Sequence, residues 1–107
     1  MPDVGPQEAF RALSDPTRRS ILMMLGDRDM SIGEVASNFD VTRGAIKKHL
    51  SILEEGRLIS VRTVGRERIN RLEAATIREV NDWLGYFDQF WDRRLSNLKY
   101  AIEKGKD

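Results

Sequence analysis

The chain has 107 residues, a net charge of +1 and no cysteine. This length fits one domain over residues 1–107, and the absence of cysteine excludes disulfides, thiolate metal sites and thiol redox chemistry. No stretch approaches the roughly 18 apolar residues that a membrane span requires, and the N-terminal sequence MPDVGPQEAF lacks the apolar core of a signal peptide. We therefore expect a cytoplasmic, single-domain protein that does not engage a membrane.

Positive charge is concentrated in the middle of the chain. Residues 41–72 hold eight Lys or Arg against three Asp or Glu, a net charge of +5. Residues 1–40 hold four against seven, a net of −3, and residues 73–107 hold six against seven, a net of −1. A basic segment between two mildly acidic ones is expected of a surface that contacts phosphates. Chance clustering on a solvated surface would give the same counts.

Two short helices are predicted before residue 30. The segment PQEAFRAL places Phe10 and Leu13 on one face of the first helix. Asp15 can cap the second helix, PTRRSILMML, and Pro16 suits its first position because no backbone donor is needed there. Gly26 and the polar residues after it end this helix.

The segment SIGEVASNFDVTRGAIKKHLSIL has the pattern of a helix-turn-helix. Ser31 and Glu34 form a capping box for its first helix, and Thr42 can cap its second. In the second helix the apolar residues share one face, and Gly56 ends the helix. The opposite face carries candidate DNA-contact residues, namely Arg43, Lys47, Lys48 and Ser51.

After Gly56 the pattern of apolar residues changes from that of a helix to that of β-strands. The runs LISVRTV and ERINRL are rich in β-branched residues, and Gly65-Arg66 between them is a tight hairpin turn. A hairpin directly after a helix-turn-helix is the arrangement of a winged helix, so the predicted fold is mainly α with a small β-hairpin. The wing adds Arg62, Arg66 and Arg68 to the candidate DNA-binding residues. Alternatively, these arginines are solvated charges that protect an edge strand.

Residues 74–104 are predicted to form one long helix that follows the DNA-binding core of residues 7–73. Its apolar face is wider than four short helices can cover, which predicts homodimerisation through the terminal helices. The predicted interface consists of Phe10, Leu84, Phe87, Trp91, Leu95 and Leu98. Alternatively, an aromatic ligand pocket is lined by Trp83, Phe87, Phe90 and Trp91.

Three segments together resemble the ArsR family of winged helix-turn-helix repressors: FRALSDPTRRSILMML, SIGEVASNF–DVTRGAIKKHLSILEEGRLI and VGRERINRL. The resemblance covers about residues 7–105 and implies a homodimer that binds a palindromic operator in double-stranded DNA and blocks transcription. It implies that Thr42, Arg43 and Gly44 lie nearest the bases, with Lys47 and Lys48 on the next turn. It also implies that the wing-tip arginine, Arg66, reaches the minor groove. Gly44 stands where the family often has a small hydroxyl residue.

Metal-sensing members of this family use a cysteine pair in the first helix of the helix-turn-helix, or Asp and His on the last helix. Here the first region reads Val35-Ala36-Ser37, and no histidine follows His49, which we interpret as structural. Asp82, Asp88 and Asp92 would bind a hard cation only weakly without partners. The segment FDQFWDRRLSNL resembles a branch of the family that does not sense metals. We therefore predict no regulatory metal and no cofactor.

The predicted function is sequence-specific regulation of transcription, with an effector that the sequence leaves unknown. Two alternatives remain: a protein-interaction module that uses the aromatic last helix, and a repressor released by a small-molecule ligand. An enzymatic function is disfavoured, because the sequence shows no nucleophile–base pair and no glycine-rich phosphate loop.

Overall fold

Across residues 3–104, helices form most of the structure, and three short strands form one antiparallel sheet. The computed structural model describes residues 3–104, apart from the side chains of Asp92 and Ser96. In chain order its elements are α1 (Gln7–Leu13), α2 (Pro16–Asp27), β1 (Met30–Ser31), α3 (Ile32–Ala36), α4 (Arg43–Glu55), β2 (Ile59–Val64), β3 (Glu67–Leu72), α5 (Ala74–Gly85) and α6 (Asp88–Lys104). No helix in this range is long and apolar enough to span a membrane.

Helices α1 to α4 and the base of the sheet enclose one apolar core. The largest side chains that are completely buried are Ile21, Val35, Ile46, Leu53 and Leu58. On α4 the buried residues recur at the spacing of one helical face, so the opposite face is left to solvent. This confirms the apolar face predicted for the second helix of the helix-turn-helix.

Side-chain caps start α2, α3 and α4 at the predicted residues. Asp15 Oδ2 accepts a hydrogen bond from the backbone N–H three residues on, at 3.1 Å. Ser31 Oγ accepts from the Glu34 N–H at 3.2 Å, and Glu34 Oε1 accepts from the Ser31 N–H at 3.1 Å. Thr42 Oγ1 accepts from the Ala45 N–H at 3.1 Å. Each cap satisfies a backbone donor that the helix itself cannot pair, so local sequence determines where these helices begin.

Helix α4 ends in a Schellman motif, in which two backbone N–H groups reach back into the last turn. The Leu58 N–H donates to the Leu53 carbonyl at 3.0 Å, and the Arg57 N–H donates to the Glu54 carbonyl at 2.9 Å. The left-handed residue is Arg57, with φ 61°, whereas Gly56 has φ −76°. Gly56 therefore ends the helix as predicted, but the left-handed turn that glycine favours falls on the arginine after it.

The sheet has the strand order β1-β3-β2, and the predicted hairpin is confirmed as β2 and β3. Val64 pairs with Glu67 across a two-residue turn in which Gly65 has φ 65°, the arrangement of a type II′ turn. The third strand, β1, was not predicted. It has two residues, too few to show a strand period, and its Met30 pairs with Asn70 on β3. The buried Asn70 amide also donates to the Met30 carbonyl at 3.1 Å.

The single helix predicted over residues 74–104 is wrong, because the chain forms two helices, α5 and α6. The Tyr86 N–H donates to the Trp83 carbonyl at 3.1 Å, and the Phe87 N–H donates to the Leu84 carbonyl at 3.0 Å. These bonds span three residues instead of four, so the chain tightens between the helices. Gly85, a poor helix former, ends α5 just before this turn.

Candidate nucleic-acid interface

The outward face of α4 carries the residues that we predicted to contact DNA. All of them are exposed to solvent: Thr42, Arg43, Gly44, Lys47, Lys48 and Ser51. The cap by Thr42 places Arg43 at the first position of the helix, where the helix dipole favours an anion. A Cβ atom on Gly44 would meet only the Thr42 hydroxyl, at 3.9 Å, so the backbone is open to close approach there.

A groove of about 450 Å³ separates α4 from the wing. Its α4 wall includes Arg43, Lys47 and Ser51, which share one helical face because they are spaced four residues apart. Its wing wall includes Arg66 at the tip and Arg68 on β3. The fold thus brings together five of the predicted DNA-binding residues around one basic groove. Gly44 and Lys48 on α4, and Thr42 at its N-cap, do not line this groove.

Two carboxylates that we did not predict also line this groove, Glu54 on α4 and Glu67 on β3. Glu54 could have been found from the sequence, because it lies seven residues after Lys47 and therefore on the same helical face. Glu67 directly follows the wing turn and lines the groove next to Arg66 at the tip, a placement that the fold of the hairpin decides. The site is therefore a basic groove with two negative positions.

Arg62 lies apart from the other wing arginines. Cross-strand partners share one face of a sheet, and Arg62 pairs with Ile69, whereas the neighbouring position Asn70 lines the groove. The Arg62 Nη1 atom lies 2.8 Å from Asp29 Oδ2 in the loop before β1. The structure thus places Arg62 in an ion pair on the opposite face of the hairpin.

His49 lies half-buried between α2 and α4. Its Nδ1 atom is 3.3 Å from Arg18 Nη1 and 3.9 Å from Asp15 Oδ2. Because arginine has no acceptor, Arg18 is the donor in the contact with Nδ1. The same arginine donates through Nε to the Ala12 carbonyl at 2.8 Å. These contacts support the structural role that we predicted for His49.

Most of the predicted dimer interface is exposed. Leu84 on α5, Phe87 in the turn, and Trp91, Leu95 and Leu98 on α6 all have exposed side chains, with Trp91 67% exposed. Phe10 is different, since it is half-buried and its ring lies 5.0 Å from that of Trp83 in an edge-to-face contact. The structure thus divides the predicted set into a residue packed within the chain and an uncovered apolar stripe, defined as Leu84, Phe87, Trp91, Leu95 and Leu98.

The aromatic residues of the alternative ligand pocket pack on one another. The ring of Trp83 lies 5.1 Å from that of Phe87, and the ring of Phe87 lies 6.0 Å from that of Phe90. Neither the groove beside α4 nor a smaller one beside α1 is lined by these rings. Among the side chains that the structure describes, no three His, Cys, Asp or Glu form a group suited to a metal ion. The side chain of Asp92 lies outside the described residues.

A helix-turn-helix followed by an antiparallel wing defines a winged helix-turn-helix protein. Comparison with known proteins agrees, since residues 13–62 match the family model of a helix-turn-helix domain. The chain is 32% identical to the HTH-type transcriptional regulator Rv2034 of Mycobacterium tuberculosis over 96% of this chain and 94% of that protein. It is 35% identical to the transcriptional repressor SdpR of Bacillus subtilis over 80% of this chain and 96% of that protein.

Among solved structures, an ArsR-like transcriptional regulator from Rhodococcus sp. RHA1 superposes with a TM-score of 0.72 and 38% identity, over 89% of this chain and 90% of that one. The chain belongs to the ArsR family of winged helix-turn-helix transcriptional regulators. This membership confirms the prediction of a DNA-binding transcriptional regulator rather than an enzyme.

Proposed function

We propose that the protein is a cytoplasmic transcriptional repressor that binds a palindromic operator as a homodimer. The observation that carries the proposal is the basic groove between α4 and the wing, where Arg43, Lys47, Arg66 and Arg68 converge. The similarity to the repressor SdpR supports repression as the mode of action.

Within this proposal the residues of α4 have different tasks. Arg43 is exposed at the helix N-terminus and can bond bidentately to the O6 and N7 atoms of guanine. Thr42 lies beside Arg43 nearest the bases, whereas Lys47, Lys48 and the Ser51 hydroxyl bind phosphates, which position the helix without reading sequence. Gly44 lets the backbone approach the DNA closely, because its surroundings are open.

The wing contributes a second set of contacts. Arg66 at the tip reaches the minor groove, and Arg68 binds the phosphate strand that lies in the groove beside α4. Arg62 holds the wing against the loop before β1 through its 2.8 Å ion pair with Asp29, so it supports DNA binding by positioning.

A second copy of the chain covers the apolar stripe of α5 and α6. Leu84, Trp91, Leu95 and Leu98 are each more than half exposed, and a patch of this kind marks a protein–protein interface. A twofold-symmetric dimer presents two α4 helices to DNA, which explains why a palindromic site is expected. We propose further that the protein belongs to a branch of the family that does not use a regulatory metal, which the absence of cysteine and of any histidine after His49 supports.

The proposal is tested by selecting a duplex from random DNA and measuring its binding by fluorescence anisotropy between 50 and 200 mM salt. We expect log affinity to fall linearly with log salt concentration, because bound phosphates release counterions. Arg43→Ala should cost about 1–3 kcal/mol and relax base preference at one position of each half-site, as loss of a bidentate contact does.

Arg66→Ala should weaken binding to all sequences and reduce the salt slope by about one unit. The matched control is Arg78→Ala, an exposed arginine on α5 outside the groove. Equal affinities and slopes for wild type, Arg43→Ala and Arg66→Ala would contradict the proposed contacts. Failure to select any duplex would contradict operator binding itself.

A second candidate function is a protein-interaction module that uses the apolar stripe and does not bind DNA. The observation that favours it is the exposure of the stripe along α6, including Trp91. A heterologous partner that competes with self-association, together with no selected duplex, would support this function in place of repression.

A further inference from the structure

The α4 wall of the basic groove changes sign along its length. Arg43, Lys47, Ser51 and Glu54 lie at successive turns of one helical face and all line the groove. The wall therefore begins with two cations, passes through a hydroxyl and ends with a carboxylate. A DNA strand in the groove meets attractive charge at the N-terminal half of α4 and repulsive charge at the C-terminal end.

Within the part of the chain that the structure describes, the carboxylate of Glu54 has no cationic partner. Among residues 3–104, none of the ion pairs within 4.0 Å involves Glu54, and its side chain is exposed. Its neighbour Glu55 differs, because Glu55 Oε2 lies 4.0 Å from Arg11 Nη1 and Glu55 lines the smaller groove beside α1. Two adjacent glutamates thus face different grooves, and only Glu54 faces the basic groove.

We propose that Glu54 is a specificity-determining residue that excludes DNA phosphates from the C-terminal end of the groove. The inference rests on the proposed DNA binding. In the operator complex Arg43 fixes α4 by its base contacts, and the phosphate strand lies along Arg43, Lys47 and the wing, away from Glu54. On unrelated DNA no base contact fixes the helix, so many registers bring a phosphate close to Glu54 and are repelled.

Removing this charge should strengthen binding to unrelated DNA more than binding to the operator. Two like charges a few ångströms apart near a protein surface repel enough to change affinity by about threefold to tenfold, and salt screens the effect. We therefore expect Glu54→Gln to bind a scrambled duplex about threefold to tenfold more tightly at low salt while binding the selected operator with less than a twofold change. The ratio of operator to non-specific affinity falls accordingly.

The experiment measures both affinities by fluorescence anisotropy, using the duplex selected with the wild-type protein and a scrambled duplex of the same composition and length. Glu55→Gln is the matched control, since it removes the same charge from the same turn of α4 but outside the basic groove. Thermal unfolding of each variant checks that the fold is retained, which we expect because both side chains are exposed.

Three outcomes are distinguishable. A fall in the ratio for Glu54→Gln but not for Glu55→Gln supports the proposal. Equal changes in the two variants, or an unchanged ratio in both, overturn the role of Glu54 while leaving operator binding intact. If the wild-type protein shows no salt-dependent binding to either duplex, the proposed function fails and the role of Glu54 fails with it.

Discussion

Arg57 holds the left-handed turn at the end of α4 without the conformational freedom of glycine. Its φ of 61° brings the Cβ atom of an L-residue close to its own carbonyl, which costs roughly 1–2 kcal/mol for residues other than glycine. Replacement by glycine removes this strain and adds backbone entropy to the unfolded chain, and the two effects oppose each other.

We expect Arg57→Gly to raise the free energy of unfolding by up to about 1 kcal/mol, since glycine is the preferred residue at this position of a Schellman motif. Urea denaturation at pH 7 measures the change, and Arg57→Lys, which keeps a side chain, serves as the control. A loss of stability in the glycine variant would show that the arginine side chain stabilises the turn by more than the strain costs.

Two carboxylates that cap helices make stability depend on pH. The backbone N–H of Arg18 donates to Asp15 and lowers the pKa of that carboxyl. The Arg28 guanidinium, whose Nη1 lies 2.7 Å from Glu34 Oε2, lowers the pKa of Glu34. A folded-state pKa below the unfolded one means that the unfolded chain binds more protons, so stability is present above about pH 4 and is lost as the pH falls.

Asp15→Asn removes the charge of the capping side chain but keeps its ability to cap the helix. Asparagine caps a helix about as well as aspartate, so the variant should lose little stability at pH 7. Between about pH 4 and pH 2, however, its stability should decline less steeply than that of the wild type, because one depressed carboxylate no longer titrates. Urea midpoints at pH 7, 4 and 3 test this, and parallel declines in the two proteins would exclude Asp15 as a source of acid sensitivity.

At the scale of elements, α1 crosses the end of α4 so closely that only glycine fits at residue 56. A Cβ atom on Gly56 would lie 2.8 Å from the Glu8 carbonyl oxygen and 3.3 Å from the Ala9 Cα atom. Both contacts are with backbone, which cannot rotate away as a side chain can. The α1–α4 contact therefore depends on the absence of a side chain and not on a left-handed φ.

Gly56→Ala should lower the free energy of unfolding by about 1–3 kcal/mol, as overpacking does elsewhere. The control is Gly44→Ala in the first turn of the same helix, where a Cβ would have only one neighbour, at 3.9 Å. That change should be neutral or stabilise by up to about 1 kcal/mol through helix propensity. Thermal unfolding compares the two, and equal effects would mean that α1 moves to accommodate the added methyl group.

At the scale of the whole molecule, the chain is elongated, and α6 presents apolar side chains to solvent. The chain measures 71 × 32 × 20 Å, and Leu95 and Leu98 on α6 are 60% and 57% exposed. A second copy that covers an exposed apolar helix face stabilises the protein. Each Å² of apolar surface that is buried contributes about 25 cal/mol of favourable free energy. The proposed dimer thus provides the partner that the monomer lacks.

If the proposed dimer forms through the apolar stripe, Leu95→Glu should convert it to a monomer and weaken operator binding by at least tenfold, because the two half-sites are then bound independently. Light scattering coupled to size exclusion reports the mass, and anisotropy reports the affinity. Asn97→Glu is the control, because it introduces the same carboxylate at an exposed position on the opposite side of the same helix. A Leu95→Glu protein that keeps the mass of a dimer would place the interface elsewhere.

Much of the candidate site could be predicted because its signals are local. The basic face of α4 follows from helical spacing, and the wing tip follows from Gly65 flanked by two β-branched runs. The sequence did not predict which side of the wing each arginine lies on. Arg62 and Arg68 look equivalent in sequence, but the strand register separates them, and Asp29, which pairs with Arg62, lies 33 residues away in the chain.

The sequence by itself determined where α2, α3 and α4 begin and which face of α4 is basic. It could do so because a cap and an apolar stripe are interactions between residues three or four positions apart. Only the tertiary structure decided two other features. Met30 pairs with Asn70 and adds a third strand to the sheet, and α1 packs so closely against residue 56 that only glycine fits there. It also decided that Arg68 lines the groove while Arg62 does not. These features arise where segments far apart in the chain are packed together, so no local pattern could reveal them.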